Sequence, residues 1–285
     1  MPTYPTTGPI TVTIQLAQGP LHIEASPRSE ATVEVVPSNP QHEPDVRAAE
    51  ATRVEYTDGT LRVTGPKTGT VGILRKPGSV SVTISVPEGS NIQAATGLGR
   101  VTSTGPLGRC RIRSGAGDVN VQDAHGLDVT TGFGSISAGH VSGDASCVTG
   151  SGGVRVADVD GSMTVKNSNG ETWIGGVGQA VKVKSSNGSV TIERARNDVR
   201  LATANGNLRV GSAEHGTVEL RTAMGRIEVG LPEGTAARLD LHTSFGSVVN
   251  QLEATPRPAS DDSIVTMSAR TSAGDIVICR APTLG

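Results

Sequence analysis

A repeat of about 18 residues is the feature that most constrains the fold of this chain. Each repeat begins with a small polar residue that is followed three positions later by glycine. The repeats begin at Thr96, Ser114, Thr131, Thr149, Asn167, Ser185, Thr203, Thr222, Thr243 and Thr271. Successive starts lie 17 to 19 residues apart as far as Thr222, and the last two intervals are 21 and 28 residues. Self-similarity at such a short period is the signature of a solenoid, in which each repeat contacts only its neighbours.

Two short runs of alternating apolar residues occur in each repeat. The second and fourth residues after the glycine are usually apolar, as are Val190 and Ile192 after Gly188. Another apolar pair stands four and two residues before the next start, as do Val199 and Leu201. Alternation with a period of two indicates a strand with one buried face. We therefore predict an all-β fold, a flattened parallel β-solenoid with about 18 residues and two strands per rung.

Glycine and asparagine mark one turn of each predicted rung. Glycine adopts positive φ without a steric penalty, and stacked asparagines such as Asn169, Asn187 and Asn205 form hydrogen-bonded ladders. The G-x-G pairs, such as Gly150 and Gly152, lack the third glycine of a dinucleotide-binding loop. These residues predict turns of the solenoid, and we expect no bound cofactor.

Residues 1–95 repeat the same plan more loosely. Gly19 and Gly59 are each followed by apolar residues two and four positions later, and Gly59 lies 40 residues from both Gly19 and Gly99. We expect residues 1–95 to form decorated N-terminal rungs with a cap. Residues 96–285 are expected to form one continuous regular stack.

One stretch between these first rungs has helical character. The sequence EPDVRAAEA predicts a short helix from Pro44 to Ala51, because proline favours the first turn of a helix. We expect this helix to cap the open end of the solenoid. The insertion EATPRPASDD, residues 253–262, predicts an exposed loop.

Charge, hydropathy and cysteine content disfavour several classes of protein. The formal net charge of −2 disfavours a nonspecific nucleic-acid binder. No stretch approaches the roughly 18 apolar residues of a membrane-spanning helix, so no membrane insertion is expected. The start, MPTYPTTGPITVTIQ, has no basic segment before an apolar run, so we expect no secretory signal and a cytoplasmic location. The scattered Cys110, Cys147 and Cys279 predict free thiols.

Trp173 is the only tryptophan of the chain. The strand alternation places it on the outer face, between inward-facing Thr172 and Ile174. Its predicted neighbours in the stack include Arg155 on one side and Arg209, two rungs away, on the other. One interpretation is an interaction anchor that binds a protein or stacks on a sugar. The other is a partly buried ring that packs over its neighbours, covered by Arg155 in a cation–π contact.

Cations concentrate on the outer face of the second strand. Stacking gathers Lys166, Lys182, Lys184 and Arg200 within three rungs. Such a patch could hold an anionic polymer or an acidic protein surface. Alternatively, these lysines face outward for solubility, since acidic residues such as Glu219 interrupt the patch.

The sequence carries no recognisable catalytic motif. Its six histidines are scattered, and it contains neither a nucleophile elbow nor an H-E-x-x-H metal motif. The carboxylate pairs Asp158/Asp160 and Asp261/Asp262 are explained more simply as turn residues. We therefore expect no catalytic residues and no metal site, and predict that the protein is not an enzyme.

The rungs TGSGGVRVADVDGSMTVKNSNGETWIG and SSNGSVTIERA resemble a bacterial β-strand-repeat family of unknown function, particularly its actinobacterial members. Proteins of this family are often labelled "putative adhesin". The resemblance covers nearly the whole chain, including the segment ATRVEYTDGTLRV. It implies a β-solenoid, and the family has no established catalytic motif to transfer.

Two functions remain open at this point. The first is a non-catalytic scaffold or interaction protein that presents its flat faces to an unknown protein partner or to further copies of itself. The alternative is binding, or cleavage, of an anionic polysaccharide or other polymer through the basic face and Trp173. Nucleic acid is disfavoured because the chain lacks aromatic residues interleaved with its cations.

Overall fold

The computed structural model describes residues 2–66, 78–252 and 264–282. Together they form an all-β fold with one short helix, in which most strand pairs are parallel. The predicted β-solenoid is therefore confirmed. The predicted loop at 253–262, with the Asp261/Asp262 pair, lies outside the described residues.

The chain divides into two compact units, residues 1–141 and 142–285. Each unit contains rungs of two strands, one from each of two parallel stacks. The domain boundary predicted between residues 95 and 96 stays a prediction.

The first unit contains the only helix of the described residues. Its elements are β1 (Thr3–Pro5), β2 (Thr11–Gln18), β3 (Leu21–Ser26), β4 (Glu30–Pro37), α1 (Glu43–Ala51), β5 (Arg53–Thr57), β6 (Thr60–Thr64), β7 (Val80–Pro87), β8 (Asn91–Leu98), β9 (Val101–Ala116), β10 (Val119–Phe133) and β11 (Ile136–Val141). One stack runs β6–β2–β8–β9–β10 and the other β7–β3–β9–β10–β11, so the long strands β9 and β10 take part in both. The rung made by β6 and β7 is therefore the outer rung at this end of the unit, and the earlier rung made by β2 and β3 lies next to it.

The outer rung of this unit is covered by the chain itself. β5 pairs antiparallel with β6, and β4 pairs antiparallel with β7. β1 continues the cover by pairing antiparallel with β4, and α1 packs against β4 and β7. The predicted helix is confirmed, but two antiparallel strands, rather than the helix, occupy the exposed edges of the rung.

Asp45 holds α1 to the cover of the first unit. Its carboxylate accepts hydrogen bonds from the backbone N–H groups of Ser79 at 2.9 Å and Asn39 at 3.1 Å, and lies 2.8 Å from His42 Nδ1. The Ser79 hydrogen bond, followed by that of His42, lowers the pKa of Asp45 below its ordinary value of 3.8. The stability that the carboxylate adds is therefore present above that value and is lost as the pH falls through the lower folded pKa.

The second unit is built entirely of strands within its described residues. They are β12 (Ala145–Ser151), β13 (Val154–Val159), β14 (Met163–Asn169), β15 (Thr172–Val177), β16 (Val181–Asn187), β17 (Val190–Ala195), β18 (Val199–Asn205), β19 (Leu208–Ala213), β20 (Gly216–Met224), β21 (Ile227–Leu231), β22 (Ala236–Phe245), β23 (Val248–Asn250), β24 (Ile264–Ala273) and β25 (Ile276–Arg280). We call β13–β15–β17–β19–β21–β25–β23 the tryptophan stack and β12–β14–β16–β18–β20–β24–β22 the lysine stack.

The last two rungs of this unit are stacked out of chain order. β24 pairs with β20 on one side and β22 on the other, and β25 likewise lies between β21 and β23. The rung formed by β24 and β25 is therefore internal, and the earlier rung formed by β22 and β23, which we call the terminal rung, lies at the end of the stack. The 28-residue interval between the two repeats is the only sequence signal of this exchange.

Buried apolar columns and one glycine column hold the rungs together. Val190, Ile192 and their equivalents in neighbouring rungs face inward and are fully buried. In the turn, Gly188 has φ +145°, and a Cβ added there would collide with the carbonyl oxygen of Gly170 in the rung below. The predicted asparagine ladder is confirmed, because the Nδ2 groups of Asn187 and Asn205 each donate to the preceding asparagine at 2.9 and 2.8 Å.

Candidate functional site

The strand register places Trp173 where the alternation predicts it. In the tryptophan stack, Arg155 lies opposite Trp173 on one side and Thr191 on the other, with Arg209 next to Thr191. Both neighbours of Trp173 in its own strand are buried, so the indole projects from the outer face. The predicted neighbours of this residue are confirmed.

Three neighbouring groups fix the indole ring. The guanidinium carbon of Arg155 lies 4.6 Å from the ring centroid, which is a cation–π distance. The Nε1–H group donates a hydrogen bond to Glu193 Oε1 at 3.2 Å. The ring also lies beside Gly175, where an added Cβ would approach Trp173 Cη2 to 3.2 Å. Trp173 is therefore half-buried and held in one orientation, with Arg155 over part of its surface.

The charged groups around Trp173 are largely paired with one another. Arg209 lies 3.6 Å from Glu193 and 3.6 Å from Glu228. Arg194 lies 3.3 Å from Asp158, which belongs to the carboxylate pair Asp158/Asp160. This face consequently has no strong excess of either charge.

A surface cavity of about 590 Å³ opens beside the indole. Small residues, among them Ala157, Gly175 and Gly211, leave room between the longer side chains. The chain segment of Ala281 and Pro282 also lines it. The cavity offers an aromatic wall, hydrogen-bonding carboxylates and two guanidinium groups, which together suit a side chain or ring inserted by a partner.

Sequence reasoning found Trp173 but missed the cavity and Glu193. Ala157, Gly175, Glu193 and Gly211 follow one another at 18-residue spacing, so this one column of the repeat, small except for Glu193, could have indicated both. The contribution of Ala281 could not be foreseen, because it depends on the rung exchange that brings β25 next to β21.

Removing the guanidinium from the indole is expected to change the fluorescence of the only tryptophan. Arg155→Ala should shift the emission of Trp173 to longer wavelength, because the ring gains contact with water. The free energy of unfolding should fall by about 0.5–1 kcal/mol. Arg209→Ala is the matched control, since Arg209 contacts Glu193 without covering the ring. Identical emission spectra for Arg155→Ala and the wild type would contradict this arrangement.

The predicted basic face is assembled on the other stack. Lys166 lies opposite Lys184, and Lys182 lies opposite Arg200, all exposed on the lysine stack. The gathering of these four cations within three rungs is confirmed. Since the inward residues of both stacks share the core, Trp173 and the basic face form two separate surfaces. One short ligand segment cannot contact both.

The terminal rung exposes the end of the hydrophobic core. β22 pairs with β24 and β23 with β25, and no other described strand pairs with either. Inward-facing Val248 is 44% exposed, whereas its partner Ile276 in the rung below is 0% exposed. Leu239 and Leu241 are half-buried, although their partners in β24 are buried. Unlike the outer rung of the first unit, this rung has no described cover.

The family model described as Toastrack DUF4097 matches residues 11–278. The chain belongs to this Toastrack family. The family is a domain of unknown function, and the resemblance to a bacterial β-strand-repeat family is confirmed. No curated protein matches the chain.

Two crystal structures are similar to this Toastrack chain. One is a "putative cell adhesion protein" from Clostridium sporogenes, with 11% identity, coverage of 98% of each chain and a TM-score of 0.23. The other is a "putative adhesin" from Bacteroides fragilis, with 12% identity, coverage of 97% of this chain and 95% of that chain, and a TM-score of 0.34.

Residues that could ligate a metal or act as nucleophiles are present among the described residues of this Toastrack chain. No group of three or more His, Cys, Asp or Glu side chains there could hold a metal ion. Burial raises the pKa of the Cys110 thiol to about 12, which strongly disfavours the nucleophilic thiolate. Cys147 is also buried, and Cys279 is half-buried. No described helix is long and apolar enough to span a membrane.

Proposed function

We propose that this protein is a non-catalytic β-solenoid scaffold that associates with a second copy of itself through its terminal rung. The observation that carries the proposal is the exposure of inward-facing Leu239, Leu241 and Val248 at the end of the core. Their equivalents in the next rung are fully covered. An apolar core left open at one end favours association that buries it.

The strand edges support a second copy as the occupant. An edge strand presents unpaired backbone N–H and C=O groups that template the addition of another strand. Antiparallel pairing of β22 with β22 of the second copy, centred on Leu239, sets Arg238 opposite Asp240 in both directions. Each copy then offers the same surface, as a two-fold symmetric interface requires. Opposite charges in directly opposed positions stabilise such a pair.

The non-catalytic part of the proposal rests on the chemistry of the described side chains. The Asp158 carboxylate is paired with Arg194, and the Cys110 thiol is held in its protonated form. The cavity beside Trp173 is lined by groups that already bond to one another. These features support recognition rather than bond-making chemistry.

Sedimentation equilibrium over a wide range of concentrations tests the self-association. We expect a monomer–dimer equilibrium for the wild type. Leu239→Lys should weaken it by at least about tenfold, because a charge would then be buried at the centre of the interface. Thr191→Lys, the same charge change on the outer face of β17, should leave the equilibrium unchanged. A wild-type protein that stays monomeric at all concentrations would exclude the proposal.

The cavity beside Trp173 favours a second function, the docking of a protein partner that inserts an apolar or aromatic side chain. The fixed indole, the small residues of the floor and the paired charges around it provide a preformed recess. A tagged wild-type protein, purified from its native cells beside Trp173→Ala, tests this function. A partner that is lost with the variant, and that changes Trp173 emission on titration, supports docking. A partner retained equally by the variant contradicts it.

A further inference from the structure

The lysine stack contains a gap in an otherwise cationic column. The outward residues of this column run Lys166, Lys184, Ala202 and Arg221 in successive rungs. Ala202 has only a methyl side chain, so the long side chains of Lys184 and Arg221 flank an open position. They lie two rungs apart, which is about 9.5 Å at the spacing of paired strands. The gap is therefore bounded by positive charge on both sides along the stack.

The neighbouring column adds further cations beside the gap. Lys182 and Arg200 are adjacent there, and they line the same depression of about 150 Å³ with Lys184, Ala202 and Arg221. The only acidic residue that lines the depression is Glu219, which lies 3.6 Å from Arg200. Four cations thus face one carboxylate.

Some cations elsewhere on the second unit have an acidic partner, whereas three of the four cations of the depression have none among the described residues. Arg270 of the lysine stack lies 2.9 Å from Asp240, and Arg209 of the tryptophan stack contacts two glutamates. Within the described part of the chain, Lys182, Lys184 and Arg221 form no ion pair. Bringing unpaired cations of like charge together costs free energy that an anion would recover.

We propose that this depression binds a phosphate or sulfate group over Ala202. A compact tetrahedral oxyanion accepts hydrogen bonds from several directions, as the ammonium groups of the two lysines and the guanidinium of Arg221 require. A carboxylate accepts in one plane, so it satisfies fewer of these donors. The site is independent of Trp173 and of the terminal rung, which lie elsewhere on the unit.

Substitutions at Ala202 test the site without removing any cation. Ala202 is half-buried and faces outward, so both Ala202→Glu and Ala202→Gln can be accommodated. They fill nearly the same volume and differ in one negative charge. Binding of inorganic phosphate is measured by calorimetry at constant ionic strength, with acetate as the comparison anion. Unfolding temperatures in the absence of phosphate establish that the variants are folded.

We expect phosphate to bind the wild type more tightly than acetate and Ala202→Glu to lose binding by at least about tenfold. Ala202→Gln should weaken it less, and Lys184→Gln should weaken it at least about threefold. Thr191→Glu, the same charge change as Ala202→Glu but on the tryptophan stack, should have no effect. Equal phosphate binding by the wild type, Ala202→Glu and Lys184→Gln would overturn the proposal, as would equal affinity for acetate and phosphate.

A second experiment distinguishes a free oxyanion from sulfate groups that are carried on a polymer. A sulfated polysaccharide such as heparin is titrated into the same set of variants. Tighter binding of the polymer than of phosphate, with the same loss in Ala202→Glu, assigns the site to sulfate groups carried on a chain. Phosphate binding that depends on Ala202, without polymer binding, assigns it to a free oxyanion. Polymer binding that Ala202→Glu leaves unchanged, together with no phosphate binding, would reject the site.

Discussion

Replacing Gly188 by alanine is expected to lower the free energy of unfolding of the second unit by at least about 2 kcal/mol. Gly188 has φ +145°, a conformation that residues with a Cβ rarely adopt. The added methyl group would also collide with the carbonyl oxygen of Gly170, and this backbone is fixed by pairing to its neighbours. Urea unfolding followed by circular dichroism measures the loss.

A second glycine separates the two causes of this loss. Gly234 also has positive φ, at +78°, but an added Cβ there would meet no atom within 4 Å. Gly234→Ala should therefore cost only the conformational part, about 1 kcal/mol. If both substitutions had the same effect, the close approach of Gly188 to Gly170 would contribute nothing. The glycine column would then reflect backbone conformation alone.

Ile276→Ala is expected to destabilise the second unit by about 2–5 kcal/mol, the usual cost of truncating a fully buried isoleucine. Ile276 lies in β25, between Ile227 of β21 and Val248 of β23, and is 0% exposed. If the rungs were stacked in chain order, β25 would be the terminal strand and Ile276 would be partly open to water. The size of the effect therefore reports the stacking order.

Val248→Ala provides the matched comparison for Ile276→Ala. Val248 occupies the equivalent inward position in the terminal strand and is 44% exposed. Its truncation should cost less than about 1 kcal/mol when measured at concentrations where the protein is monomeric. Chain-order stacking predicts the reverse ranking, with the larger loss at Val248. Thermal and urea unfolding of both variants decide between the two orders.

The repeating part of the fold was predictable because one physical pattern recurs in every rung. The inward pairs, such as Val190 and Ile192, alternate with outward residues, and the turn glycine, such as Gly188, recurs at the same position in each rung. This recurrence sufficed to place Arg155 beside Trp173 and Lys182 beside Arg200. In both cases the pairing follows from equal spacing along the sequence.

The order of the rungs at the ends could not be predicted in the same way. Each rung presents a similar row of Val, Ile and Leu to its neighbours, so the apolar pattern does not distinguish one stacking partner from another. In the first unit, likewise, the antiparallel pairing of β4 and β5 with the outer rung leaves no periodic signal. These contacts depend on the path of the connecting segments.

Trp173 and its cationic neighbours were predictable from the sequence, but the cavity beside them was not. The indole orientation depends on Glu193, whose side chain reaches across from β17, and the cavity depends on residues whose side chains are very small or absent. The gap at Ala202 was missed for the same reason. Sequence patterns of charge and aromatic residues indicate where long side chains stand, whereas binding sites on a flat sheet also need positions where they are absent.

The most direct test of association through the terminal rung is an engineered disulfide at the centre of the expected interface. In an antiparallel pair centred on Leu239, the two Leu239 Cα atoms lie about 4.5–5.5 Å apart, within the range of a disulfide. Leu239→Cys is prepared in a background where the half-buried Cys279 is replaced by serine. Under mild oxidation, non-reducing electrophoresis should show a covalent dimer that Thr191→Cys in the same background does not form. A Leu239→Cys protein that remains monomeric at concentrations well above the measured dissociation constant would contradict association through this rung.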